Sequence, residues 1–274
     1  MLLVQQIESL ELPALAPYRS MKRQSDHVDQ GIFVAEGEKV VRRLFESNLT
    51  VISALMPQKW LDQYEPMLKA RPETIAAYVA DKSVLESLTG FSMYQGVLAL
   101  AHIPAAVPLA TVLVKSPRPR FFAAVDALSN AENLGGLVRN GVAFGLQALL
   151  VGETSGSPYL RRAVRSSMGT VFHLPFVRAT RLAESLRELR AQGVHCIAAH
   201  PHTDRKTIGQ VDFTRDCCLV FGSEGYGLSA EVLATCDEAA AIPMHASVDS
   251  LNVGSAAAVF LYEARRQRGG MGVR

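Results

Sequence analysis

Residues 121–139 read FFAAVDALSNAENLGGLVR, and this stretch decides the fold class. Its first five residues are all apolar, which is typical of a strand that is buried on both faces of a sheet. A glycine-rich turn follows, and then a helix that continues through Arg139 to Phe144. A buried strand that leads through a turn into a helix is the repeating unit of α/β proteins with a parallel sheet.

The same alternation continues toward the C-terminus. Further strands are predicted at 147–151, 194–199, 217–221 and 239–242, and helices near 159–168, 180–191 and 252–266. Because these strands are continuous apolar runs between helices, we expect one parallel sheet with helices on both faces.

The N-terminal part of the chain predicts a second, smaller α/β unit. Its strands are expected at 32–35, 51–56 and 96–101, with a helix at 39–47. A stretch with regularly spaced prolines and no acidic residue follows, which is typical of a linker. We therefore divide the chain into an amphipathic leader at 1–17, a small α/β domain at 18–105, a linker at 106–119 and a larger domain at 120–274.

Composition excludes several classes of protein. The 274 residues are 49% apolar and 20% charged, which disfavours intrinsic disorder and small disulfide-rich folds. The formal net charge of +2 excludes a highly basic nucleic-acid coat protein. Four cysteines without a C-x-x-C motif indicate a reducing compartment. Polar residues interrupt the first fifteen residues, so we expect no signal peptide, no membrane span and a cytoplasmic protein.

Three loops follow strands of the larger domain, at the edge of a parallel sheet where ligands gather. They comprise residues 130–139, 222–229 and 244–252. The P-loop pattern is absent from the sequence, and the glycines of the second loop have the wrong spacing for a dinucleotide site. Each loop alone is weak evidence, because its glycines can be purely conformational, and Asn130 and Ser229 can act as helix caps.

Together, and in this order, the loops resemble the three signature motifs of the SpoU (TrmH-type) RNA ribose methyltransferases of the SPOUT superfamily. The first motif has Asn133, Gly135 and Arg139; the second is Phe221-Gly222-x-Glu224-Gly225-x-Gly227-Leu228; the third is Ile242-Pro243-Met244 followed by Ser250-Leu251-Asn252-Val253. One departure is Ala131 after Asn130, where family members commonly have proline. Residues 18–105 resemble, more weakly, the small α/β substrate-binding module often fused ahead of this domain.

The resemblance implies a parallel-sheet SPOUT domain whose C-terminal segment forms a deep trefoil knot around S-adenosylmethionine. It also implies a homodimer in which two subunits complete the RNA site, and methyl transfer to a ribose 2′-hydroxyl, of ribosomal RNA in preference to tRNA. The implied cofactor-binding residues are Phe221, Gly222, Ile242, Met244 and Leu251. The implied catalytic residues are Asn133, Arg139, Glu224, Ser250 and Asn252.

The role of Arg139 needs a physical qualification. A guanidinium group is always protonated, so it cannot accept the proton of the ribose hydroxyl. We expect Arg139 to bind the neighbouring phosphate through two parallel hydrogen bonds and to orient the hydroxyl. The proton then goes to an oriented water, a phosphate oxygen or Glu224.

Basic residues outside the motifs indicate where the RNA backbone binds. Arg161, Arg162 and Arg165 are the first candidates for a phosphate track, although an ordinary solvated helix face would look the same. A weaker candidate surface comprises Arg19, Lys22 and Arg23.

A metal site is not expected. The cluster of His195, Cys196, His200, His202 and Asp204 matches no standard zinc spacing, and Cys217 and Cys218 are expected to pack as small apolar residues.

Two other functions remain open at this stage. The same fold and cofactor could serve a methyltransferase that modifies a tRNA ribose or a base. A catalytically silent RNA-binding dimer in ribosome assembly is the alternative from another class, although such a binder has no need for Arg139, Glu224 and Asn252 together.

Overall fold

The computed structural model describes residues 1–89, 96–201, 206–245 and 248–269, without the side chains of Ser87 and Thr89. The strands are β1 (Leu2–Gln6), β2 (Ile32–Glu36), β3 (Val51–Met56), β4 (Ile75–Val79), β5 (Leu98–His102), β6 (Phe121–Val125), β7 (Ala148–Val151), β8 (Phe176–Arg178), β9 (His195–Ala199), β10 (Cys217–Phe221) and β11 (Glu238–Ala240). The helices are α1 (Ala16–Arg19), α2 (Gln24–Asp29), α3 (Glu38–Glu46), α4 (Gln58–Lys69), α5 (Lys82–Thr89), α6 (Leu109–Lys115), α7 (Ala131–Ala143), α8 (Arg161–Ser166), α9 (Leu182–Ala191), α10 (Ala230–Thr235) and α11 (Val253–Gln267).

The chain forms two compact units. The first comprises Met1–Ala105 and Tyr159–Phe172, and the second comprises Ala106–Pro158 and His173–Arg274. The first unit has a five-stranded mixed sheet with the order β1-β4-β3-β5-β2, in which β5 runs antiparallel to both of its neighbours. It is therefore an α/β unit with its own apolar core.

The second unit has a six-stranded sheet with the order β11-β9-β10-β6-β7-β8, and every neighbouring pair is parallel. Alternate side chains of the central strands β6 and β10, such as Phe122 and Val220, join one core with α6 and α9. On the other face, Phe221 of β10 meets Phe260 of α11 edge-on, with ring centroids 5.9 Å apart. The expected α/β class with a parallel sheet and helices on both faces is thus what the second unit shows.

Three segments differ from the sequence-based division. Residues 2–6, expected in a leader, form β1, which pairs in parallel with β4. The expected linker contains α6, because Leu109, Val112 and Leu113 have helical spacing and pack into the core of the second unit. Tyr159–Phe172 was assigned to the larger domain, but it packs within the first unit, where α8 contacts β2.

The cysteines are free thiols. Cys217 and Cys218 lie buried on β10, and burial raises the pKa of Cys217 to about 11. Cys218 packs as a small apolar group in the core, as expected, whereas Sγ of Cys217 also accepts a hydrogen bond from Arg268 at 3.2 Å. Among the described residues, no helix is both long and apolar enough to cross a bilayer.

Candidate active site

Loops from the same edge of the second sheet build the candidate site. Strands β6, β10 and β11 are parallel within this sheet, so their carboxyl ends lie on one side. The chain after β10 turns back tightly: Ser223 and Gly227 exchange two backbone hydrogen bonds of 2.9 and 3.0 Å. A Cβ atom added to Gly222 would overlap the backbone of Gly227 and Leu228. Only glycine therefore fits at residue 222.

A cavity of about 350 Å³ lies between the loops after β10 and β11 and the end of β9. Its lining includes all five expected cofactor-binding residues, Phe221, Gly222, Ile242, Met244 and Leu251, together with Glu224 and Ser250. The third loop thus returns to the turn after β10, although some 20 residues separate them in sequence. Apolar side chains and polar groups both line it, and a concave site with such a lining suits a small-molecule ligand.

Three of the expected catalytic residues form a chain of hydrogen bonds. Asn133, on α7, donates through Nδ2 to Oε1 of Glu224. Asn252 donates through Nδ2 to Oδ1 of Asn133 at 2.9 Å. Each of the three loops contributes one member. These hydrogen bonds therefore fix the Glu224 carboxylate relative to α7 and α11.

Helix caps provide the platform for this chain. Oδ1 of Asn252 accepts the backbone N–H of Gly254 at 2.9 Å and so caps α11. Asn252 therefore caps α11 with its amide oxygen while its amide nitrogen reaches Asn133. Asn130 caps α7, and Ser229 caps α10, which confirms the structural interpretation of these two residues.

Two polar residues outside the predicted set also hold the site. Asn140 donates through Nδ2 to the carbonyl of Gly254 at 3.0 Å and so ties α7 to the start of α11. It lies seven residues after Asn133, which places both on one face of α7 and would have identified it. Asp126, buried at the end of β6, accepts the N–H of Ser229 at 2.8 Å.

Arg139 lies apart from this chain of hydrogen bonds. It is exposed on α7, six residues beyond Asn133 and hence about 9 Å along the helix axis. It is not among the residues that line the cavity, and within the described part of the chain it has no hydrogen-bond or ion-pair partner. The guanidinium is therefore free to bind an anion from solution.

The expected phosphate track divides into two kinds of residue. Arg161 pairs with Glu36 inside the first unit, where the side chains are only 16% and 11% exposed. Such a buried pair is part of the protein's own structure, so we remove Arg161 from the phosphate track. Arg162 is exposed, and Arg165 is 63% exposed with a long 3.4 Å contact to Glu36. The track stays a prediction for these two residues.

In the second basic surface, which comprises Arg19, Lys22 and Arg23, one residue binds the protein's own backbone. Arg19 donates to the carbonyls of Leu10 and Leu12 and so holds the chain after β1. Lys22 and Arg23 are exposed.

The cluster of histidine, cysteine and aspartate residues near β9 was considered above as a possible metal site. His195 contacts Glu238 through Nε2 at 2.7 Å, and Cys196 lies buried on β9. His202 and Asp204 lie outside the described residues. Within the part of the chain that the structure describes, no group of three or more His, Cys, Asp or Glu side chains could hold a metal ion.

Comparison with known proteins gives a consistent result. The model of the SpoU rRNA methylase family matches residues 120–262. An uncharacterized tRNA/rRNA methyltransferase of Mycobacterium bovis is 32% identical over 271 residues, which cover 96% of this chain and 92% of that protein.

Solved structures share the fold over nearly the whole chain. The AdoMet-bound rRNA methyltransferase of Sinorhizobium meliloti superposes with a TM-score of 0.82 at 26% identity, covering 96% of this chain and 98% of that one. A structure described as an RNA 2′-O ribose methyltransferase has a TM-score of 0.78 at 25% identity, with coverages of 96% and 99%.

Proposed function

The chain belongs to the SpoU rRNA methylase family and is an RNA methyltransferase of that family; we propose that it transfers a methyl group from S-adenosylmethionine to a ribose 2′-hydroxyl of ribosomal RNA. One observation carries the proposal: the hydrogen-bonded chain of Asn252, Asn133 and Glu224 ends at Glu224, which lines the cavity together with the turn after β10. The relatives that bind AdoMet or bear the name of a ribose methyltransferase support it.

The cavity fits such a methyl donor in size and chemistry. Its volume of about 350 Å³ lies within the range of sites for ligands of this size. Phe221, Ile242 and Leu251 provide apolar surface for an adenine ring. Because Gly222 has no side chain, the backbone can approach the ligand closely. We propose that these residues hold the donor.

The donor supplies a methyl group that its sulfonium already activates, so the protein's tasks are alignment and proton removal. Alignment of two reactants can lower a barrier by about 7–11 kcal/mol. Asn133 holds the Glu224 carboxylate in one orientation at the cavity mouth, and Asn252 holds Asn133. The free guanidinium of Arg139 binds the phosphate beside the reacting ribose. The hydroxyl proton goes to an oriented water, a phosphate oxygen or Glu224.

Several finer features of the family belong to the proposal. We expect the segment after β10 to form the trefoil knot around the donor, with the tight turn at Gly222 as one of its crossings. We also expect a homodimer that completes the RNA site, and a location in the cytoplasm with the ribosomal RNA. Sedimentation of the purified chain tests the dimer: a monomer at micromolar concentration would contradict it.

One experiment separates the proposal from its alternatives. Ribose methylation is mapped across total RNA from cells with and without the protein, with the wild type or Arg139→Ala restored. We expect one ribosomal ribose mark that is lost without the protein and returns with the wild type only. A mark in tRNA or on a base favours the first alternative. A mark that is unaffected by loss of the protein favours a silent RNA-binding role.

A further inference from the structure

Tyr226 stands at the cavity mouth without any packing of its own. It is 98% exposed, the highest value for a large apolar side chain among the described residues. Within that part of the chain its ring contacts no other aromatic ring, and its hydroxyl has no hydrogen-bond partner. It nevertheless belongs to the residues that line the candidate donor cavity. An aromatic side chain gains nothing for the fold in this position.

The backbone beneath Tyr226 is held firmly. The mutual hydrogen bonds of Ser223 and Gly227 close the turn, and the Tyr226 N–H donates to Oγ of Ser223 at 3.2 Å. The turn is anchored on its C-terminal side by Ser229, whose N–H donates to the buried Asp126. A rigid turn thus presents one aromatic ring to solvent, next to the Glu224 carboxylate.

We propose that Tyr226 is a substrate-binding residue that stacks on an unpaired nucleobase of the RNA, next to the reacting ribose. This rests on the proposed function and deepens it, because it makes a single-stranded or unstacked segment the substrate. A ribose that reaches the cavity brings its base to the rim, where the exposed ring lies. Every base has a π face, and stacking on aromatic side chains is the common way in which proteins hold unpaired RNA.

The ring, rather than the hydroxyl, performs this task. The variants Tyr226→Phe, Tyr226→Leu and Tyr226→Ala separate the two, since leucine keeps apolar bulk without a π face. Val114→Ala is the matched control: Val114 is 84% exposed on α6 and does not line the cavity.

The test uses the full-length protein and a mixed-sequence, single-stranded RNA that carries 2-aminopurine, without methyl donor. Stacking quenches this base, so fluorescence reports binding and contact together. Wild type, Tyr226→Phe and Val114→Ala are expected to bind alike, with quenching. Tyr226→Ala and Tyr226→Leu should bind about 5- to 150-fold more weakly, the range for loss of one stacked base.

Several results would overturn the inference. One is an RNA affinity in Tyr226→Ala equal to the wild type's. Weaker binding of the methyl donor by Tyr226→Ala in the absence of RNA would place the ring in the donor site instead. A change in oligomeric state would place it against a second copy of the chain. The methylation map is independent of this assay. A ribosomal ribose mark that persists in cells without the protein defeats the proposed function alone, and RNA that stays unquenched defeats the stacking alone.

Discussion

At the scale of single residues, Gly222 is the described glycine with the least room for a side chain, and it lines the candidate donor cavity. A side chain there would overlap backbone atoms of Gly227 and Leu228, which cannot give way as the end of a flexible side chain could. Backbone shifts to relieve such overlaps typically cost about 1–3 kcal/mol.

We therefore expect Gly222→Ala to lower the free energy of unfolding by about 1–3 kcal/mol and to abolish donor binding. Urea unfolding and calorimetric titration measure the two effects. Gly209→Ala is the control, because a Cβ at that residue meets nothing within 4 Å and the residue does not line the cavity. Equal losses in both variants would show that the overlap at Gly222 is unimportant.

Asn133 is the central member of the hydrogen-bonded chain. Asn133→Asp could still accept from Asn252 but could not donate to Glu224, and it would add a second carboxylate beside it. We expect kcat to fall about 100-fold, as small misplacements in active sites do, with donor affinity retained. Single-turnover kinetics measure it. Near-normal turnover would mean that Glu224 needs no fixed orientation.

At the scale of the elements, the residue that caps α11 also contacts the proposed catalytic residues. Asn252 caps the helix through Oδ1 and reaches Asn133 through Nδ2. A serine at residue 252 could still cap α11, but its side chain is too short to reach Asn133.

We expect Asn252→Ala to lower the free energy of unfolding by about 1 kcal/mol, the usual cost of a lost cap. Asn252→Ser should restore most of this stability yet remain as slow in methyl transfer as the alanine variant. Thermal unfolding and initial rates are the measurements. Recovery of both properties in the serine variant would reduce Asn252 to a cap.

Local patterns allowed most elements of the second unit to be predicted. Buried runs such as Phe121–Val125 are apolar throughout, so they identify strands without knowledge of their neighbours. Strand β1 was missed because Leu3 and Val4 are exposed and its pairing with β4 depends on residues more than 70 positions away. Strand β8 has only three residues, which is too few for a periodic signal.

At the scale of the whole molecule, the motifs predicted which residues line the cavity but not how charges pair over long distances. Arg161 and Glu36 are 125 residues apart, and nothing local marks either as the other's partner. The sequence therefore could not distinguish Arg161, which is paired, from its exposed neighbour Arg162. The asparagine chain was likewise beyond local reasoning, because its members come from three separate loops.

The two kinds of arginine should respond differently to substitution. Arg162→Ala should leave stability unchanged and flatten the log–log salt dependence of RNA affinity by about one unit. Arg161→Ala should instead lower stability, because it leaves the Glu36 carboxylate, 11% exposed, without its main partner. Filter binding at several salt concentrations and urea unfolding measure both. An unchanged slope for Arg162→Ala would remove it from the RNA surface.

We propose that the loops after β10 and β11 close over one another to bind the methyl donor. Calorimetric titration of S-adenosylmethionine into the folded protein tests it most directly. We expect one donor per chain, weaker binding in Leu251→Arg, whose side chain lines the cavity and is 39% exposed, and unchanged binding in Val114→Ala. Absence of donor uptake by folded wild-type protein, with RNA present or not, would contradict the account.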